Sequence, residues 1–164
     1  MNTLATQIQS PQTCGADLRL QNPQVQQAYR GFLAYTSLYR AGCLQNPTTG
    51  DYCLATALTN ASAPTSSYIY YLPLGVQLPG GARPACDVCL RDTMAVFAQE
   101  AGNASLPVSG TYGPAAGLVE MSCGPGFVEP VAAVSSGAAS GAVRASGGLL
   151  GIVGVLFVGV WGLI

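Results

Sequence analysis

Six cysteines, Cys14, Cys43, Cys53, Cys86, Cys89 and Cys123, constrain this chain more than any other feature. They are even in number and all precede the apolar C-terminus, as expected of three disulfides made in an oxidising compartment. Spacing alone does not choose among the possible pairings. Cys43 and Cys53 flank a turn between two predicted helices, so a bridge closing an αα-hairpin is the favoured pairing. Cys86-Asp87-Val88-Cys89 is a C-x-x-C at a helix start, a position that lowers a thiolate pKa. A redox site of that type needs a strand and a βαβ context. Here Pro-Gly-Gly-Ala-Arg-Pro leads in and the surroundings read helical, so two structural bridges leaving one helix for different partners are expected. Zinc would need a second matching pair, which is absent.

The other end of the chain says where such a domain would go. Leu149–Ile164 carries no charge and no amide. As a helix this run spans about 24 Å, at the short end for a bilayer core. Ser135–Gly148 upstream is almost wholly small residues. Small residues, a spacer and an apolar terminus form the signal for glycosylphosphatidylinositol (GPI) attachment. Counting back from Leu149, Ser135, Ser136 and Gly137 are the candidate attachment residues, each leaving a spacer of about 8–12 residues. Two sequons, at Asn60 and Asn103, fit the same compartment. Met1–Thr13 disagrees: it has neither the basic start nor the apolar core of a secretory signal peptide. Either a front segment is missing from this sequence, or a tail-anchored protein holds its domain in the reducing cytosol with free thiols and silent sequons. The small-residue spacer favours the first.

The fold class expected is mainly α. Residues 1–13 read as a disordered remnant, 14–127 as a cysteine-containing helical ectodomain, 128–148 as linker and spacer, and 149–164 as the hydrophobic tail. Asn22-Pro23 supplies an N-cap and a first-turn proline. Val25, Ala28, Tyr29, Phe32, Tyr35, Tyr39 and Cys43 follow at helical spacing, which predicts a helix buried along that stripe, closed by Gly42 and Pro47. A turn over Gln45–Gly50 precedes a short helix, Tyr52–Thr59, capped by Asp51. Ser67–Gly81 has strand-like tyrosines broken by Pro73, Pro79 and Gly80-Gly81, and reads as an extended Tyr/Pro/Gly-rich segment across the helices. Its Tyr68, Tyr70 and Tyr71 form a possible ligand surface. A third helix is predicted over Cys86–Ala101, and a weaker fourth from Thr111 or Tyr112 to Ser122.

Composition excludes much chemistry. The chain of 164 residues has no His and no Lys. That removes His-based nucleophile systems, His-ligated metals and Schiff-base catalysis. The six Arg are scattered, which argues against nucleic acid as a partner. Asp87 and Asp92 do not share a helix face, no other carboxylate pair is evident, and no phosphate-binding loop exists. No catalytic residue, metal site or cofactor is therefore expected, and the sequence does not state an oligomeric form.

Several strings are unusual together and in this order: CGADLRLQNPQVQQAY, YRAGCL, YCLATALTN, SYIYYLPLGVQLPGG, RPACDVCL, TYGPAA and CGPGF. Over Cys14–Phe127 the chain resembles an uncharacterised family of fungal, cysteine-containing surface proteins, known as a domain of unknown function. The resemblance implies a signal peptide, a further cysteine-bearing segment in front and a GPI-type tail, and brings no catalytic residues. The expectation is a GPI-anchored protein on the extracellular face of the plasma membrane, or passed on to the wall, with a structural or adhesive role. Its partners would be the membrane through the lipid anchor and cell-wall glycan. The alternative is a glycan-, lipid- or small-ligand-binding module using Tyr68–Tyr71.

Overall fold

A computed structural model describes residues 1–129 and 131. The attachment candidates Ser135, Ser136 and Gly137 and the apolar tail lie outside the described residues. The described chain is mainly helical and has no strand; its sole β pairing is an isolated bridge between Gln45 and Tyr52.

The longest helix, α3 (Pro23–Gly42), follows its local signals. The Asn22 side chain accepts from the Gln24 N–H at 3.1 Å, Pro23 takes the first turn, and the helix ends at Gly42. Its buried face differs from the expected aromatic stripe. Ala34, Ser37 and Ala41 face the core, while Tyr35 and Tyr39 are 44% and 62% exposed and stack with ring centroids 6.1 Å apart. Small side chains on the inward face admit close packing, whereas tyrosine rings at the surface keep their hydroxyls in water.

The Gln45–Gly50 turn forms as expected, held by the Asn46 side chain accepting from Thr48 N–H at 2.9 Å. Helix α4 (Cys53–Thr59) follows, and its N-cap is Tyr52 without a side-chain bond, in place of Asp51. The next element corrects the strand-like reading: Pro64–Leu74 is a 3₁₀ helix. In that helix side chains three apart eclipse one another. Ser66, Ile69 and Leu72 therefore fall on one line, and all are buried together with Pro73. Packing has overridden the β propensity of the tyrosines. Gly75 ends the element at φ +82°, where its N–H donates to the Leu72 carbonyl at 2.9 Å.

Only the stretch beyond Gly75 is extended, and it is pinned back onto the 3₁₀ helix. Arg83 N–H donates to Thr65 Oγ1 at 2.8 Å, and Ala85 N–H to Ser66 Oγ at 3.0 Å. Helix α5 (Val88–Ala101) starts two residues later than expected, because Asp87 is its N-cap and accepts from Leu90 N–H at 2.8 Å. It buries a broad face, through Leu90, Met94, Phe97 and Ala101 among others, and leaves Arg91 and Gln99 exposed on the opposite side. Helix α6 (Val108–Cys123) begins earlier than expected and carries Pro114 inside it. Proline has no N–H for the carbonyl four residues back. That carbonyl, of Gly110, accepts from Gln77 Nε2 at 3.1 Å.

Two short helices precede α3, and the first of them falls within residues 1–13, contrary to the expectation of disorder there. Helix α1 (Asn2–Gln7) packs against α3 and buries Ala5, and α2 (Gly15–Arg19) follows a tight loop. Thr13 Oγ1 donates to the Gln7 carbonyl at 2.6 Å, and Gly15 N–H to that of Ser10 at 3.1 Å. Helices this short do not persist alone. Docking holds them, a contribution that local sequence does not announce.

The disulfides are Cys53–Cys89 and Cys86–Cys123. The favoured Cys43–Cys53 bridge does not form, and Cys14 and Cys43 are free thiols. Cys53 is 1% exposed at the start of α4, turned toward α5, whereas Cys43 caps α3 at the surface. The hairpin between α3 and α4 is closed by backbone hydrogen bonds instead, with Cys53 N–H donating to the Leu44 carbonyl at 2.9 Å. The C-x-x-C cysteines part to α4 and α6, the arrangement of two structural staples.

Candidate functional site

The three tyrosines of the expected ligand surface do not share a face. Tyr70 turns inward: its hydroxyl lies 3.1 Å from Thr93 Oγ1 and its ring meets Phe97 edge-on, centroids 6.4 Å apart. Burial raises its pKa, with Asp87 adding to the rise and the Thr93 hydrogen bond opposing it. Tyr68 and Tyr71 point outward, 42% and 49% exposed, as an edge-on pair with centroids 6.5 Å apart. Beneath Tyr70, between α4, α5 and the 3₁₀ helix, is a cavity of about 20 Å³ lined by Thr56, Asn60, Ser66, Asp87 and Thr93. That is room for one water among polar groups, not for a ligand.

Both sequons sit at helix ends. Asn60 follows α4 and its Oδ1 accepts from the Ser62 and Ala63 N–H groups, each at 3.0 Å. Asn103 follows α5, is exposed, and its Oδ1 accepts from Ser105 N–H at 3.0 Å and Ser105 Oγ at 2.7 Å. In both, the side-chain oxygen is committed to its own turn.

The larger concavity lies elsewhere. A cleft of about 640 Å³ opens between the N-terminal segment, the first half of α3 and the loop joining α5 to α6. Gln9, Arg19, Gln26, Tyr29, Arg30 and Leu33 form much of its wall, with Gly75 and Pro107 at the far side. A second cleft of about 440 Å³ shares Gln9, Tyr29, Leu33, Ser105 and Leu106 with it, so the two form one groove. Gly75 has a steric as well as a conformational reason to be glycine here, since a Cβ would lie 3.3 Å from that of Pro107. Sequence reasoning missed this groove, because its walls come from positions about a hundred residues apart in the chain.

Near the described C-terminus, Tyr112 is fully buried on α6 and its hydroxyl donates to the Glu129 carbonyl. Burial, then Glu129 and Glu120, push its pKa up to about 12. Among the described residues no three His, Cys, Asp or Glu side chains cluster to hold a metal ion, and no helix is long and apolar enough to cross a membrane.

No curated protein and no solved structure matches the chain. A family model, described as a domain of unknown function (DUF7729), matches residues 1–133. That span takes in both short N-terminal helices, both disulfides and every wall of the groove, and with it the chain belongs to the DUF7729 family.

Proposed function

We propose that this is a fungal cell-surface protein, GPI-anchored at the outer face of the plasma membrane or passed on to the wall, whose domain is structural or adhesive. The pair of disulfides stapling α5 to α4 and α6 carries the reading, because such bridges form and persist in an oxidising compartment. The three-part terminal signal and the exposed sequon at Asn103 agree with it. Expressed behind a secretory signal peptide, the chain should reach the cell surface and be released by phosphatidylinositol phospholipase C. The released form should lack Trp161, the single tryptophan of the chain, and fluoresce as tyrosine alone. Tryptophan emission from the surface protein would mean the tail is retained and would sink the anchor.

A second reading, a ligand-binding module, draws on Tyr68 and Tyr71, which offer two exposed rings of the kind that stack on sugars. Tyr70 has no part in it, being turned into the core.

A further inference from the structure

We infer that the groove beneath the N-terminal segment binds an oligosaccharide bearing a carboxylate or phosphate, held through Arg19 and Arg30. The inference goes beyond the anchored-surface reading, concerns a different face from Tyr68 and Tyr71, and does not depend on the anchor.

The cations carry it. Of the chain's six Arg, Arg40 pairs with Glu100 at 3.1 Å and Arg91 with Asp92 at 3.5 Å. Arg83 donates to the carbonyls of Gly80 and Ala82, and Arg144 lies outside the described residues. Arg19 and Arg30 have no carboxylate partner among the described residues, and both line the same cleft. No Asp or Glu lines that cleft. In a chain with 8% charged residues and no Lys, the two guanidinium groups without a partner among the described residues, Arg19 and Arg30, both line one concavity. A guanidinium left beside a water-filled cleft offers forked donors that match a carboxylate or phosphate.

The remaining walls choose the body of the ligand. Gln9 and Gln26 each spend one amide hydrogen on Ala5 and Gln21, and Ser105 and Ser109 spend theirs on Asn103 and Leu106. The walls therefore offer the second amide hydrogens and the side-chain oxygens, beside the Tyr29 ring that lines both halves of the groove. Amides, hydroxyls and an aromatic ring are the partners a sugar uses. A lipid chain asks instead for an enclosed apolar cavity, and this groove is open and mixed. Its volume of about 640 Å³ is within the range of small-molecule sites, roughly 300–1,000 Å³. In the narrower half the one carboxylate, Glu100, is already paired with Arg40. Asn103 lies on the rim of that half, so a glycan attached there would leave the Arg-lined half to a free ligand.

The test is calorimetric titration of the full-length oxidised chain, in a mild non-ionic detergent, with a galacturonate trisaccharide, a phosphorylated mannose trisaccharide and neutral maltotriose. Saturable binding of at least one acidic probe, and none of maltotriose, is expected. Arg19→Gln and Arg30→Gln should each weaken it about tenfold or more, as for loss of a hydrogen bond to a charged group. Arg91→Gln should leave it unchanged, and the far-UV circular dichroism of each variant should match the parent. Equal binding of maltotriose, or full binding by the Arg19→Gln/Arg30→Gln double variant, would overturn the inference. So would silence toward both acidic probes. Arg-dependent binding to phosphatidylserine vesicles without acidic-sugar binding would replace the sugar by a membrane headgroup and overturn it too.

Discussion

The α5–α6 region and the N-terminal segment are held by different means. Around α5, Phe97, Met94, Ile69, Leu72 and Tyr112 are fully buried, and two disulfides tie this helix region to α4 and α6. The N-terminal segment buries little beyond Ala5 and Gly15, carries no bridge, and leaves Cys14 a thiol. Yet this lightly held segment supplies one wall of the groove, through Gln9, Leu18 and Arg19. The difference teaches that stability and the candidate binding surface are assigned to separate parts of one small domain. Regions of few buried apolar contacts open at lower free energy than the core.

Removing the staples should break the comparison most strongly. The bridges close segments with sequence separations of 36 and 37, and loss of a native disulfide from a small domain costs about 2–5 kcal/mol. Cys53→Ser/Cys89→Ser should therefore lower the denaturant midpoint sharply. Cys43→Ser, at an exposed thiol, should stay within about 0.5 kcal/mol of the parent, as surface substitutions do. Cys14→Ser, at a part-buried thiol outside any bridge, should cost less than loss of either staple. A large effect at Cys43 would show that the α3–α4 hairpin depends on a bridge after all. Peptide mapping without reductant checks the same assignment.

Gly15→Ala sharpens the comparison from the other side. A Cβ there would lie 2.4 Å from the Gln9 carbonyl oxygen and 2.7 Å from that of Ser10, both backbone atoms that cannot swing aside. The loop between α1 and α2 must shift, at about 1–3 kcal/mol for overpacking. Hydrogen exchange should show faster exchange over residues 5–10 with α5 unchanged. If α5 loses protection in step, the two regions are one cooperative unit and the contrast fails.

The smallest effect concerns Tyr112, within the stapled region. Its folded pKa of about 12 exceeds the ordinary value of 10.0, chiefly through burial and then through Glu129 and Glu120. Below pH 10.0 both folded and unfolded states hold the proton, and stability is unaffected. Between 10.0 and about 12 the unfolded state loses its proton first, so stability falls as pH rises. Urea midpoints across that window should decline, and less so in Tyr112→Phe. An equal decline in both would assign the loss to other groups.

The sequence by itself determined the elements whose signals are local. Asn22-Pro23 and Gly42 bound α3, and the Gln45–Gly50 turn follows from its own side chains. Each signal acts within one turn of backbone, so no distant partner is needed to recognise it. The separate destinations of Cys86 and Cys89 were also legible, since no strand or βαβ context frames the C-x-x-C as a redox site. The tertiary structure alone decided which cysteines meet, because a bridge needs two Cβ atoms brought together, and a backbone-paired hairpin leaves Cys43 facing outward. It decided that α3 buries Ala34, Ser37 and Ala41 in preference to its tyrosines, and that Pro64–Leu74 tightens into a 3₁₀ helix. It also decided the groove, whose Arg19, Arg30 and Ser105 are distant in the chain and meet only because α1 and α2 dock on α3. Local propensity acts over a turn or two, whereas burial and bridging are settled by whatever surface the rest of the chain presents.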